Sequence, residues 1–289
     1  MMTCLPSAFN VVDVDIEKAI AKVTAVVGER PQLVTTRPGQ PWVGLTTACA
    51  IHIAHDDRTR NRIREEADRL AWAARNGIPV PAVVDSQPDW LVTSRAVNDG
   101  VTRGRPYVEA AVGAARAISA ALEPPPNLRA PVAAHGGGRQ AGLVRLFRIV
   151  RSPLSPGEFR AARAAAAALP RDTLAHGDYV LHNILFDRAT ASVTIIDWEY
   201  LTRAPAHQDL LMLWPRLTEP DDRAVVLEEV ERTTKDRRAA GVLHHWLAVR
   251  LLADLVTKFA PGEWDRPRIE ATVARVREAR ETRARWGRS

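Results

Sequence analysis

The sequence predicts a bilobal α+β protein, with strands and one helix in a small N-terminal lobe and mainly helices in a larger C-terminal lobe. With 289 residues, the chain is too long for one small hydrophobic core and fits two lobes or two modest domains. Short β-branched runs bounded by Gly and Pro dominate the first part, whereas helical spacing dominates the rest. We therefore expect one lobe over residues 1–95 and the other over residues 96–289.

The N-terminal lobe is predicted to contain one helix between its strands, and a further helical segment precedes the strands. Residues 15–27 have apolar side chains at helical spacing, and Gly28 stops this helix. A longer helix is expected from Asp57 to Asn76-Gly77, because its apolar residues share one face. Strands are expected at residues 32–36, 42–47 and 50–54, and in "IPVPAVVD" and "DWLVTSRA" after the longer helix.

The C-terminal lobe is predicted to be mainly helical. One helix begins near Pro106 and is stopped by three consecutive prolines, and "AAHGGGRQAG" then reads as a flexible loop. An alanine-rich helix starts at Ser155-Pro156 and reaches about Leu169. Helical patterns continue to Ser289, and the Arg/Glu-rich helix from about Pro267 is expected to be a solvated element.

Two polar motifs stand between these helices. The stretch "LAHGDYVLHNILF" places Asp178 and Asn183 five residues apart, and the apolar run "SVTIID" ends in Asp197. We expect "ILF" to pair with "VTIID" as a hairpin with "DRAT" as its turn. Such a hairpin would bring Asn183 and Asp197 to one rim and leave Asp178 on the loop before it.

These oxygen-bearing side chains suit phosphoryl transfer. Mg²⁺ takes oxygen ligands and usually borrows several of them from phosphates, so Asn183 and Asp197 are candidate ligands. The remaining acid, Asp178, could accept the proton of a substrate hydroxyl. The catalytic loop of protein kinases has the same interval between its aspartate and its asparagine.

With these motifs, the chain resembles the aminoglycoside phosphotransferase and choline kinase family, whose members are relatives of protein kinases. The resemblance rests on "HGDYVLHN" and "IDWE", and extends to "REEADRLAWAARNGIPVPAVVD", "DWLVTSRAVNDG" and "APAHQDLLMLW". It implies a protein-kinase-like fold, in which the N-terminal lobe is an antiparallel sheet that binds nucleotide. The C-terminal lobe would then carry the catalytic loop, the metal site and the acceptor pocket.

The resemblance also implies roles for single residues. Asp178 would be the catalytic base, and Asn183 and Asp197 would be the Mg²⁺ ligands. Glu199 would either complete the metal shell or contact substrate. His176 and Asp209 would brace the catalytic loop.

The nucleotide-binding residues depart from the family pattern. The family usually has a lysine on its third strand, paired with a helix glutamate, but here His52 takes that position opposite Glu66. A nearby carboxylate raises the pKa of a histidine, so a charged pair is expected. The loop "RPGQP" has one glycine, Gly39, and Arg37 could supply charge there instead. The resemblance adds nucleotide contacts on the strand leading into the hinge, at Thr93, Ser94 and Ala96.

The sequence therefore predicts a Mg²⁺-dependent small-molecule kinase that uses ATP or GTP. The expected acceptor is an aminoglycoside or another antibiotic, as in resistance or self-protection, and choline-like, nucleoside and sugar acceptors stay open. A polycationic acceptor would favour acids facing the cleft, and the acids on offer there are Asp221, Asp222, Glu228, Glu229 and Glu231. Because the lysine is missing, a non-catalytic pseudokinase that binds nucleotide or a small molecule is the main alternative.

Composition argues against several other classes of protein. The net charge is +6, and only four of the 40 basic residues are lysines, which points to genomic arginine bias more than to a nucleic-acid surface. Two cysteines give no disulfide framework or metal spacing, and we find no signal peptide or membrane-spanning run. A cytoplasmic monomer or homodimer, with a nucleoside triphosphate and a hydroxylated small molecule as partners, is expected.

Overall fold

The computed structural model describes residues 13–35, 40–121, 125, 127–128, 153, 155–258 and 265–288. The chain divides into two compact units. Unit 1 is drawn from Met1–Asn98, Glu123–Asn127 and Thr194–Glu199, and unit 2 from Asp99–Leu122, Leu128–Val193 and Tyr200–Ser289. The predicted loop "AAHGGGRQAG" and the predicted site residues Arg37 and Gly39 lie outside the described residues.

Unit 1 is built on a five-stranded antiparallel sheet in the order β1-β2-β3-β5-β4. Its strands are β1 (Gln32–Thr35), β2 (Trp42–Leu45), β3 (Cys49–Ile53), β4 (Val83–Gln87) and β5 (Trp90–Ser94). Helix α1 (Asp13–Val27) covers one part of it. Ile16, Ile20 and Val23, which are spaced four and three residues apart, are buried in one cluster with Ile51 and Ile53 of β3.

Helix α2 (Asp57–Arg75) is fixed at its start by a reciprocal cap. The Asp56 carboxylate accepts a hydrogen bond from the backbone N–H of Thr59, and the Thr59 hydroxyl accepts one from the backbone N–H of Asp56. Such a cap is worth about 1 kcal/mol. The helix ends at Arg75 with Asn76 as its cap, and Gly77 follows in the left-handed region, where the sequence predicts the end of the helix.

Unit 2 is mainly helical. Among the described residues its helices are α3 (Arg105–Ala120), α4 (Pro156–Ala167), α5 (Gln208–Leu213), α6 (Pro220–Thr233), α7 (Arg237–Lys258) and α8 (Arg266–Trp286). Helix α4 starts where Ser155 caps the N–H of Glu158, and α8 where Asp265 caps that of Arg268. The sequence therefore located both helix starts correctly.

Short strands position the polar motifs between these helices. They are β6 (Thr173–Ala175), β7 (Ile184–Asp187), β8 (Ser192–Ile195) and β9 (Thr202–Ala204). Strands β7 and β8 form one two-stranded sheet and β6 and β9 another. The hairpin predicted from "ILF" and "VTIID" is thus confirmed, and the Asp187 carboxylate closes its turn by accepting from Ala189 N and the Thr190 hydroxyl.

One helix among the described residues is long and apolar enough to cross a membrane by length and composition. It is α7, over Arg237–Thr257, and 67% of the apolar stretch is buried inside the structure. The sequence prediction that no run approaches a membrane span therefore needs this qualification. A largely buried helix of this kind is also what the core of a soluble protein contains, so the feature is weak evidence for a membrane.

Candidate active site

The loop after β6 carries most of the polar residues that the sequence predicts for the site in unit 2. Residue Ala175 ends β6, His176 to Val180 form the loop, and a 3₁₀ helix over Leu181–Asn183 leads into β7. Asp178 is half-buried on this loop, whereas His176 and Asn183 are buried. The backbone thus presents the predicted base at a partly open position between two buried polar neighbours.

Asp209 holds this loop from helix α5. Its two carboxylate oxygens accept the backbone N–H groups of His176 at 2.7 Å and Gly177 at 3.2 Å. Burial raises the pKa of Asp209 to about 7, and the charge of Asp178 also raises it, while both backbone donors lower it. The contact is the one that a loop-bracing role requires.

Glycine is the only residue type that fits at position 177. Its φ is +83°, and a Cβ atom built there would lie 2.3 Å from the carbonyl oxygen of Tyr200. A side chain would therefore meet rigid backbone in addition to left-handed strain. This close approach explains why glycine stands between His176 and Asp178.

Asp178 and Asn183 are in contact within unit 2. The Asn183 amide nitrogen donates to the Asp178 carbonyl at 2.9 Å and to its carboxylate Oδ2 at 3.2 Å. These bonds orient the Asn183 side chain with its amide nitrogen toward the loop. They also bring one of the predicted metal ligands against the predicted base.

The donor chemistry of the predicted ligands fits Mg²⁺. With its nitrogen committed to Asp178, Asn183 has an amide oxygen to offer, and Asp197 offers a carboxylate. Within the described ranges, no group of three or more His, Cys, Asp or Glu side chains could hold a metal. Asn183 belongs to unit 2 and Asp197 to unit 1, so each is described within its own unit.

His176 and Tyr179 anchor the loop to the core of unit 2. The Tyr179 hydroxyl donates to the Ala111 carbonyl of α3 at 2.6 Å, and its ring meets the His176 ring edge-on at 6.1 Å. Both side chains are fully buried. The placement of His176 is that of a structural brace, which is the role that the resemblance implies for it.

In unit 1, Asp197 follows β8 in a strained backbone conformation. Its φ is +61°, in the left-handed region that few residue types other than glycine, asparagine and aspartate adopt. Two residues later, Glu199 lies 3.4 Å from the guanidinium of Arg62, which also donates to the Gln40 side chain. Glu199 is thus held by a cation of helix α2.

His52 and Glu66 form the contact that the sequence predicts. The His52 Nδ1 atom of β3 lies 3.0 Å from Glu66 Oε2 of α2, and the side chains are 26% and 21% exposed. Burial opposes the charge on His52, but the Glu66 charge and hydrogen bond, aided by Asp197, outweigh it and raise the His52 pKa. Although burial opposes its charge too, His52 lowers the pKa of Glu66.

The remaining predicted nucleotide contacts lie at the end of β5. Thr93 is buried and its hydroxyl donates to the Ala50 carbonyl, while the Ser94 hydroxyl accepts from Ala82 N. The hydroxyl groups of Thr93 and Ser94 therefore form hydrogen bonds to backbone groups of unit 1. Ala96 lies just beyond the strand and is half-buried.

Sequence reasoning missed two arginines of α2. Arg62 contacts Glu199, and the buried Arg69 donates to the Trp198 carbonyl at 3.4 Å and to the Asn127 carbonyl at 3.0 Å. Both arginines contact residues that are distant in the sequence. Nothing in the local pattern of a helix with many charged residues distinguishes these two from their solvated neighbours.

Three of the acids considered for a cationic acceptor are engaged inside unit 2. The Asp222 carboxylate accepts the backbone N–H of Gly104 at 2.8 Å. Glu229 lies between Arg116 and Arg232, at 2.8 and 2.7 Å. Glu231 accepts from both Arg285 and the Trp286 indole. Their contacts are those of helix packing.

Residues 32–243 match the sequence pattern of the phosphotransferase enzyme family. An aminoglycoside 3'-phosphotransferase of Streptomyces ribosidificus is 31% identical over 174 residues, which cover 54% of this chain and 66% of the relative. The match thus spans just under two thirds of that relative's length.

Solved structures share the fold. A choline/ethanolamine kinase family protein from Mesorhizobium loti is 17% identical with a TM-score of 0.57, covering 94% of this chain and 97% of that one. The streptomycin–ATP complex of the phosphotransferase APH(2'')-IIa is 12% identical with a TM-score of 0.54, covering 98% and 99%. The predicted kinase-like α+β fold is therefore confirmed. Because the matched segment contains most of the chain and both polar motifs, the chain belongs to the phosphotransferase enzyme family.

Proposed function

We propose that this protein transfers the γ-phosphate of a nucleoside triphosphate to a hydroxyl group of a small molecule, with Mg²⁺. The observation that carries the proposal is the geometry of the loop around Asp178. Asp209 fixes its backbone through two N–H groups, Gly177 allows the chain to pass Tyr200, and Asn183 contacts the acid directly. So many constraints around one half-buried carboxylate are typical of a positioned catalytic group.

Asp178 acts as the base in this proposal. Its carboxylate accepts the proton of the acceptor hydroxyl as the hydroxyl oxygen forms a bond to the γ-phosphorus. The bond between that phosphorus and the β–γ bridging oxygen breaks, and the nucleoside diphosphate leaves. Asn183 keeps the carboxylate oriented through its amide N–H.

The proposal includes a metal ion and a nucleotide, for which the two polar motifs and His52 offer binding groups. Asn183 and Asp197 would hold Mg²⁺ through oxygen atoms, and the bound ion would neutralise charge on the phosphates. In unit 1, His52 is the cation expected at the phosphates, and Glu66 favours its charged form. The ATP in the structure of APH(2'')-IIa supports ATP as the donor, and the aminoglycoside activity in the relative's name makes aminoglycosides an acceptor class to test.

Replacement of Asp178 tests the proposal. We expect Asp178→Asn to lower kcat by at least about 10²-fold, because the amide cannot accept the hydroxyl proton, while the variant folds and binds nucleotide. The measurement is Mg²⁺-dependent phosphate incorporation into a panel of alcohols, with the product detected by mass. Asp172→Asn, at an exposed acid before β6, is the matched control and should keep wild-type turnover. Wild-type turnover in Asp178→Asn would remove that acid as the base.

A further inference from the structure

Unit 2 contains an arginine, Arg216, that lies within electrostatic reach of Asp178 and forms no ion pair with the described residues. Arg216 ends the 3₁₀ helix Trp214–Arg216, which continues directly from α5. Asp209, Met212 and Arg216 are spaced three and four residues apart and so share one face. Asp209 on this face holds the loop of Asp178, and the charge of Asp178 acts on Arg216.

The guanidinium of Arg216 is not neutralised within the described part of the chain. It donates to the Met212 carbonyl, and no carboxylate oxygen of the described residues lies within 4.0 Å of its nitrogens. Burial and repulsion by Arg250 lower its pKa to about 10, against the attraction of Asp178 and Asp254. A half-buried cation without an ion pair is costly to keep, and an anionic ligand would relieve that cost.

Two further arginines add positive charge around Arg216. Arg250 of α7 and Arg268 of α8 both repel it. Arg250 lies 3.9 Å from the Asp254 carboxylate, so the surplus charge is only partly offset. Arg275 donates to the Pro215 carbonyl at 2.7 Å and fixes the backbone just before Arg216. We define the arginine cluster as Arg216, Arg250 and Arg268, of which Arg216 and Arg250 are half-buried and Arg268 is exposed.

The charge of this region disfavours a polycationic acceptor. Asp222, Glu229 and Glu231, which could have attracted one, are occupied by groups of unit 2 itself. The arginine cluster would repel ammonium groups brought near Asp178. Oxyanions, by contrast, are bound well by guanidinium groups through charge-assisted hydrogen bonds.

We propose that the acceptor is an alcohol that also carries a carboxylate or phosphate group, and that the arginine cluster binds this oxyanion beside the hydroxyl that Asp178 deprotonates. The inference deepens the proposed function and rests on it. Arg216 is then a specificity residue for the acceptor. The Arg216 guanidinium would fix one end of the acceptor, so that its hydroxyl is presented at a constant distance from the base.

Sulfate is a simple probe of the cluster. With saturating ADP and Mg²⁺ present to fill the nucleotide site, we expect sulfate to raise the Tm of the wild-type protein in a concentration-dependent manner. The rise should be much smaller in Arg216→Gln. Arg277→Gln is the matched control, since Arg277 is exposed on α8 and nine residues beyond Arg268, which places it on the opposite face. Equal rises in all three proteins would overturn the site.

Acceptor kinetics identify the anion. Hydroxy acids, sugar phosphates and aminoglycosides are compared under the same conditions, and the first two arms separate a carboxylate from a phosphate group. We expect phosphate transfer to one of the two anionic acceptor classes. The KM for that acceptor should be raised about tenfold or more in Arg216→Gln and should partly recover in Arg216→Lys, while the nucleotide KM stays unchanged. If Arg216→Gln does not fold, Arg250→Gln replaces it, and we expect a smaller rise in the acceptor KM.

The failures are distinguishable. Transfer to aminoglycosides with none to anionic alcohols would overturn the acceptor class and leave the proposed function standing. Absence of transfer to every alcohol, together with nucleotide binding that ignores Mg²⁺, would overturn the proposed function and the acceptor class with it.

Discussion

At the scale of single residues, Gly177 shows how one missing side chain permits the site. We expect Gly177→Ala to lower the free energy of unfolding by about 1–3 kcal/mol, because the new Cβ would meet the Tyr200 carbonyl in a left-handed backbone. Denaturant unfolding measures this. Activity should fall as well, since the clash displaces the loop of Asp178.

Gly77→Ala separates strain from the clash. Gly77 also has a positive φ, +68°, but nothing lies within 4 Å of a Cβ built there. Its replacement should cost about 1 kcal/mol from backbone strain alone. Equal losses of stability in the two variants would mean that the approach to Tyr200 does not matter.

The residues of the site were predictable to different degrees. Asp178 and Asn183 stand in one short motif, so the chain alone places them near each other, and the structure brings them into contact. Arg62 and Arg216 were not predictable. Arg62 is distinguished by a contact with Glu199, and Arg216 by having no ion pair with the residues that the structure describes. Such properties arise from tertiary placement and leave no local pattern.

At the scale of elements, the His52–Glu66 contact joins β3 to α2 and should make their association depend on pH. The His52 pKa is raised above 6.5 and the Glu66 pKa is lowered below 4.5. The stabilisation from His52 is therefore complete below pH 6.5 and is lost as pH rises through its raised pKa. The contribution of Glu66 is present above pH 4.5 and is lost as pH falls through its lowered pKa.

Unfolding of wild type and His52→Ala across this range tests the coupling. The difference in unfolding free energy should be about 1 kcal/mol near pH 6 and should shrink toward alkaline pH. If His52 is the cation at the phosphates, as proposed, the nucleotide KM should also rise in His52→Ala. His182→Ala, at an exposed histidine, is the control, and a pH-independent difference for His52→Ala would contradict the coupling.

Elements with a clear period were predictable, and very short ones were not. Helices α1 and α2 begin within two residues of the predicted starts and end within one residue of the predicted ends, because an apolar stripe and a following glycine agree along each. Strands β6 and β9 have three residues each and show no alternation to recognise. The break between α5 and the 3₁₀ helix coincides with Pro215, which cannot donate a backbone hydrogen bond.

At the scale of the whole molecule, metal and nucleotide should act together on stability. If Asn183 and Asp197 hold Mg²⁺ with the phosphates, ATP should raise the Tm more with Mg²⁺ than with EDTA. At a hundred times the Kd, the added stability should be about 2.7 kcal/mol. Identical Tm values with Mg²⁺ and EDTA would favour a non-catalytic nucleotide-binding protein, the alternative that the missing lysine suggests.

The two compact units are not simple halves of the chain. The sequence predicts lobes over residues 1–95 and 96–289, whereas unit 1 also contains Glu123–Asn127 and Thr194–Glu199. The buried Arg69 explains part of this arrangement, since it donates to carbonyl groups in both later segments. A linear reading of composition shifts cannot detect such returns, and the assignment of functions to the two predicted lobes stays a prediction.

The left-handed backbone at Asp197 restricts which amino acids evolution and mutagenesis can place there. Alanine would remove the carboxylate and add about 1–2 kcal/mol of conformational strain, so its effects would be mixed. Asparagine tolerates the same φ and differs from aspartate by one charged oxygen. Asp197→Asn is therefore the isosteric probe that separates the electrostatic contribution of this position from its backbone geometry.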